Sequence, residues 1–295
     1  MRQLKIIPFL LFNLCLCLVS CGQEDVSRNT AFFKDTKAYD LAKAVEKGDL
    51  ESIEKLVKED STLLEFSNPV SGSNVLALCL YVEQFKSFKK LLELGANPNF
   101  INPYDKYSVL IDAIKPFGSQ FEWRKENQYA ELLLEYGADP NYAVENDFTN
   151  KKGYHISATS PLMKASDLYL DMVKLLIKKG ADPYKKLGKK QETPFSEAVE
   201  GGHIDIINYY IDTLKVNMRE PMSVIVRQSN NQEVTYYIQD YIVNKFTKAK
   251  LMGDSLEIER LKRENTGIEE ANQDLWELIK KLEVMGVDFK NYDYK

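Results

Sequence analysis

The chain has 295 residues, 44% of them apolar and 28% charged, which suits a folded protein with a large core. A net charge of −5 excludes the basic surface on which non-specific nucleic-acid binding depends. The four cysteines, at 15, 17, 21 and 79, exclude a disulfide framework, because the first two fall inside an apolar leader.

That leader, residues 1–20, opens with Arg2 and Lys5 and continues as an apolar stretch over 6–19. About fourteen residues are too few for a comfortable membrane span, so the pattern reads as a signal peptide. It ends Leu18-Val-Ser-Cys21, which resembles a bacterial lipobox. The resemblance makes Cys21 the lipid-bearing first residue of the mature protein, acylated with palmitate-type chains that attach it stably to a membrane. No Asp follows Cys21, so the analogy directs it to the outer membrane, periplasmic or surface-facing. The alternative is an ordinary secretory signal with a chance cysteine.

Residues 21–37 read as a flexible polar tether. Next, 39–64 forms a helix pair with Gly48 at its turn, and 65–73 (EFSNPVSGS) a connecting arm. From there one text recurs. LLELGANPN (91–99), LLLEYGADPN (132–141) and LLIKKGADP (175–183) each end an apolar-periodic helix at a glycine, followed three residues later by proline. Capping residues Asn74, Ser108, Ser160 and Thr193 open the matching helices, with Pro161 and Pro194 in the first helical position. Starts 74 and 108 lie 34 apart, and starts 160 and 193 lie 33 apart. Cys79 falls on the apolar face of one such helix and reads as packed core.

The unit 107–158 is longer than its neighbours. One insert separates its helices and carries Pro116, Phe117, Phe121 and Trp123; another enlarges its arm and carries Tyr142, Phe148, Tyr154 and His155. Inserts in a stacked array project from it, and aromatics there are candidates for partner contact, or else fold back over their own unit. Past Leu214 the expected glycine stop gives way to KVNMREP. Residues 224–227 and 234–246 read as helices, 256–265 as a charged helix, and LWELIKKLEVMGVDF (275–289) as a last helix and stop.

A 33-residue period with Ser-Pro-Leu and Thr-Pro-Phe starts and AVEGGHIDIINYYI (198–211) resembles the ankyrin repeat. The resemblance implies an all-α, ankyrin-repeat solenoid of helix-turn-helix units with short projecting arms. It covers residues 38–220, leaving 221–295 as degenerate repeats or a helical cap. It also gives His203 a structural place at the inter-helix turn.

No catalytic or metal motif appears: no H-E-x-x-H, paired-Cys spacing, nucleophile elbow, Walker loop or dinucleotide fingerprint. The expectation is therefore a non-enzyme without cofactor, small-molecule ligand, metal or nucleic acid. It is an exported, lipid-anchored scaffold that binds another protein in the bacterial envelope, with contacts from Tyr104, Asp105, Lys106, Trp123, Tyr154, His155, Lys189 and Lys190. Two alternatives stay open: an immunity protein neutralising an envelope-targeted toxin, and a glycan-binding or enzymatic envelope lipoprotein.

Overall fold

The computed structural model describes residues 28–114, 128–227, 232–243, 245–263 and 273–294. The chain is mostly helical, with fifteen α-helices and two short antiparallel hairpins among the described residues. After a short α1 (Arg28–Ala31), helices come in pairs: α2 (Tyr39–Lys47) with α3 (Leu50–Glu59), α4 (Val75–Tyr81) with α5 (Phe85–Glu93), and α6 (Val109–Ile114) with α7 (Gln128–Glu135). Strands β1 (Phe148–Thr149) and β2 (His155–Ile156) precede α8 (Pro161–Ser166), paired with α9 (Leu170–Lys178). Then α10 (Pro194–Glu200) pairs with α11 (Ile204–Asp212). The remainder is β3 (Ser223–Arg227), β4 (Gln232–Tyr236), α12 (Ile238–Ile242), α13 (Lys245–Met252), α14 (Ser255–Arg263) and α15 (Gln273–Val284).

The first helices of the pairs form one row, in which α2, α4, α6, α8, α10 and α12 each pack on the next. In the second row α3 packs on α5, α5 on α7, α9 on α11, and α11 on α15. First-row helices are sandwiched, so α4 and α6 bury six successive residues each, Val75–Leu80 and Val109–Ile114. Second-row helices keep one wet side; α5 buries Ser87, Phe88, Leu91 and Leu92 and leaves Lys86, Lys89 and Glu93 exposed. Helices this short are unstable alone, so burial between neighbours holds them. Cys79 is fully buried in α4, donates to the Val75 carbonyl at 3.4 Å, and has its thiol pKa pushed up by desolvation.

Start signals act as their chemistry dictates. Asn74 accepts from the Ala77 N–H at 2.9 Å, Ser160 from Met163 at 3.2 Å, and Thr193 from Ser196 at 3.1 Å. The stops share a second device. Asn97, Asp139, Asp182, Asn217 and Asp288 each accept, through Oδ1, from the backbone N–H two residues on, at 2.8–3.1 Å. Gly95, Gly137, Gly180 and Gly286 all have φ between 87° and 96°. Where the expected glycine is missing, Lys215 adopts φ 56° instead, and Val216 is buried in the place of Ala96, Ala138 and Ala181.

Three expectations need correcting. The all-α class gives way at the two hairpins. Residues 224–227 are strand, not helix, and 234–236 belong to its partner: Val224-Ile-Val is a β-branched run, and the Val224 N–H donates to the Lys190 carbonyl at 2.9 Å. The tether is shorter than its composition suggests, because residues 28–37 pack. Phe33 and Thr30 are buried, and Asn68 Nδ2 donates to the Phe32 carbonyl at 2.5 Å. A lone pair of phenylalanines shows no periodicity, yet one of them joins the buried core. Cys21, Trp123 and the first insert lie outside the described residues. No described helix is long and apolar enough to cross a membrane.

Candidate functional site

Between one unit's stop and the next unit's start the chain makes an arm, and the arms lie side by side. In the first, Asn68 Oδ1 accepts from Val70 and Ser71 at 2.7 and 2.9 Å, curling 68–73 into a closed turn. In the second, Asn102 Oδ1 accepts from the Tyr104 N–H at 2.9 Å, while its Nδ2 donates to the Ser71 carbonyl at 3.2 Å. Tyr104 reaches the same neighbour, its hydroxyl donating to the Pro69 carbonyl. The two arms approach so closely that a Cβ on Gly72 would stand 2.2 Å from Asn102 Oδ1. Glycine is required there by the packing as well as by its φ of 79°.

The third arm is the enlarged one. The Val144 and Thr159 backbones bond each other both ways at 2.9 and 3.0 Å, and β1 and β2 pair beyond them. Its base ties to both neighbours: Tyr142 OH donates to the Lys106 carbonyl at 2.7 Å, and the Gly188 N–H to the Glu145 carbonyl at 2.9 Å. Its tip bends back over the earlier arms, where the Lys152 ammonium lies 4.4 Å from the Tyr104 ring centroid and donates to the Val70 carbonyl. The fourth arm, 187–192, closes through Leu187 and Glu192, and β3–β4 forms the fifth.

The residues expected to touch a partner are thus all arm residues where the structure describes them. Tyr154 is 66% exposed, and His155, Lys106, Lys189 and Lys190 are exposed. Tyr104 and Asp105 are half-buried, since Tyr104 is held by the first arm and Asp105 accepts from the Tyr107 N–H at 2.9 Å. Lys190 is raised in pKa chiefly by Glu192, 3.3 Å away. Tyr142 is raised by desolvation and then by Asp105.

Sequence reasoning missed two features. One is a charged patch where α8, α10 and the fourth arm meet. Glu197 is partly buried there, and desolvation pushes its carboxyl up to about 7; Lys164 opposes the rise, and Glu192, Glu200 and Asp167 add to it. Glu197 and Glu200 at i,i+3 share a helix face, but only stacking brings Asp167 and Lys164 to them. The other is a ladder along the stops. Asn99 donates to the Gly137 carbonyl at 3.0 Å and accepts from the Asp139 N–H at 2.8 Å. Asn141 does the same to Gly180 and Asp182, both at 2.8 Å. Tyr184 OH donates to the Leu214 carbonyl at 2.8 Å, and the Arg219 guanidinium lies against Gly286, where a Cβ would meet it at 2.4 Å. The repeated Asn after Pro was the visible signal; the partner across the junction was not.

His203 stands at the start of α11, its carbonyl accepting from Ile207 at 2.8 Å and its Nε2 3.9 Å from Asp167 Oδ1. These are contacts of a residue shaping a turn. The chain matches no protein-family model and no curated protein sequence.

Proposed function

We propose that this chain is an ankyrin-repeat solenoid, exported and held at the outer membrane by lipid on Cys21, that grips another protein along its arm edge. One observation carries the reading. The arms satisfy their backbone groups among themselves, through Asn102 to Ser71, Tyr142 to Lys106, Gly188 to Glu145 and Val224 to Lys190. Such a row is braced before it meets a partner, so Lys106, Lys189 and Lys190 are presented with little ordering entropy still to lose, while Tyr154 and His155 stand on the tip that projects from it. The alternating rows of short helices and the five matching stops support the repeat reading; the lipobox-like Leu18-Val-Ser-Cys21 supports the anchor.

The test is crosslinking in intact cells followed by mass spectrometry, with the native chain and two variant sets. Tyr154→Ala with Lys189→Glu is expected to cut recovery of the crosslinked protein about tenfold, as loss of interface anchors does. Lys86→Glu with Lys89→Glu, on the exposed side of α5, is expected to leave recovery unchanged. The reverse pattern removes the arm edge from the proposal. A clickable fatty acid is expected to label the native chain and not Cys21→Ser; label on both removes the anchor.

A further inference from the structure

The third arm's hairpin is fastened firmly at one end and lightly at the other. At its base Val144 and Ile156 are buried, the Val144–Thr159 pair is doubly bonded, and Ala158 donates to Asp147 Oδ1 at 2.7 Å. Lys185 adds an ion pair to Glu145 at 2.8 Å. The tip is different. Residues 151–155 are all exposed, and the turn is shaped from within by Asn150 Oδ1, which accepts from the Lys152 and Tyr154 N–H groups at 2.9 and 3.0 Å. A hairpin with two residues per strand has little stability of its own, so its tip lies where something outside holds it. Among the described residues that hold is one lysine, on a ring and a carbonyl of two earlier arms.

We propose that the 148–156 hairpin is a latch on the arm edge: its tip lifts from Tyr104 and Val70 by releasing Lys152, while its base stays in place. Lifting bares the face of Tyr104 and the Val70 backbone, extending the surface that a partner meets. This last consequence rests on the arm-edge reading above; the latch itself does not. Solvent-exposed cation–π contacts are weak and carbonyl–ammonium bonds at a surface compete with water, so opening is frequent in the native chain.

Hydrogen exchange read by mass spectrometry tests it on the full chain. Lys152→Ala is expected to speed exchange of the 150–156 amides about three- to fivefold, and Lys152→Arg to restore the native rate. The amides of Val144 and Thr159, and those of α4 and α6, are expected to keep their rates in both. Unchanged exchange in Lys152→Ala, or an arginine variant as fast as the alanine one, overturns the latch. So does acceleration that spreads to Val144 and Thr159, which marks a structural brace. Tyr104→Leu, which removes the ring face, is expected to match Lys152→Ala; native exchange there also counts against the proposal. Crosslinking with Lys152→Ala forms a separate arm: a chain that captures nothing in any form ends the partner reading, while the exchange rates still decide the latch.

Discussion

The regular stretch from α4 to α11 and the closing stretch around α12 and α15 solve one problem with different residues. In the first, α5, α7 and α9 end Gly-Ala-Asn/Asp-Pro, with small alanine buried behind the stop, and α11 ends Lys-Val-Asn-Met. In the second, Val287 is buried where alanine was and Phe289 is fully buried where proline was. The Val287 N–H still donates to the Leu282 carbonyl at 3.0 Å, matching Ala96 to Leu91 and Ala181 to Leu176. The geometry of the stop is therefore kept while its side chains change. Proline blocks a helix from resuming; phenylalanine instead pins the turn by burial.

Substitutions that force the two stretches apart test this account. The largest effect belongs to Phe289→Ala, which empties a fully buried site and is expected to cost about 3–5 kcal/mol. Urea unfolding should then show the closing stretch melting before α4–α9; a single unshifted transition would mean that Phe289 anchors nothing. Asn141→Ala comes next, leaving the Asp182 N–H and the Gly180 carbonyl without their shared side chain, at roughly 1–2 kcal/mol. Tyr184→Phe is expected to cost less, because it removes one bond from a carbonyl that water can reach.

A fourth effect follows pH at the junction of the two stretches, where α10 carries Glu197 and packs on α12. Its carboxyl titrates near 7 in the folded chain against 4.5 when free, so the folded state holds the extra proton between those values. Stability is then expected to fall as pH rises from about 4.5 to 7 and to level off above, by on the order of 1 kcal/mol after solvent screening. Glu197→Gln should flatten that part of the profile in denaturant titrations; an unchanged slope would show that the group stays ionised. The smallest effect is a gain. Lys215 holds φ 56° without being glycine, so Lys215→Gly is expected to stabilise by roughly 1 kcal/mol, while Gly180→Ala loses a similar amount. Paired melting curves of these two decide whether the stop is one device throughout.

Much of this was legible because its causes are local. The capping residues at 74, 160 and 193 and the glycines at 95, 137 and 180 act on backbone within a few residues of themselves. Even the worn stop at 286–289 could be read, since Gly286 and Asp288 keep their places. The fold of residues 28–37 could not, as the Asn68 amide that donates to the Phe32 carbonyl stands 36 residues further along the chain. The run at 224–227 was ambiguous for its length: three apolar residues and an arginine fit a helix turn or a strand, and the fourth arm's Lys190 carbonyl decided for the strand. Of the candidate site, the arm residues could be named in advance, but not that Tyr104 is already engaged by Pro69 and Lys152.

The amino-acid order by itself determined where the helices after Asn74, Ser160 and Thr193 begin and where those before Gly95, Gly137 and Gly180 stop, because φ/ψ preference and capping act over a turn or less. Tertiary structure alone decided what crosses between units: Asn99 meeting Gly137, Lys152 meeting Val70, and Glu197 losing its water among Lys164, Glu192 and Glu200. Asn99 and Gly137, Lys152 and Val70, and Glu197 and Lys164 stand tens of residues apart, and stacking brings them together, which no local preference encodes.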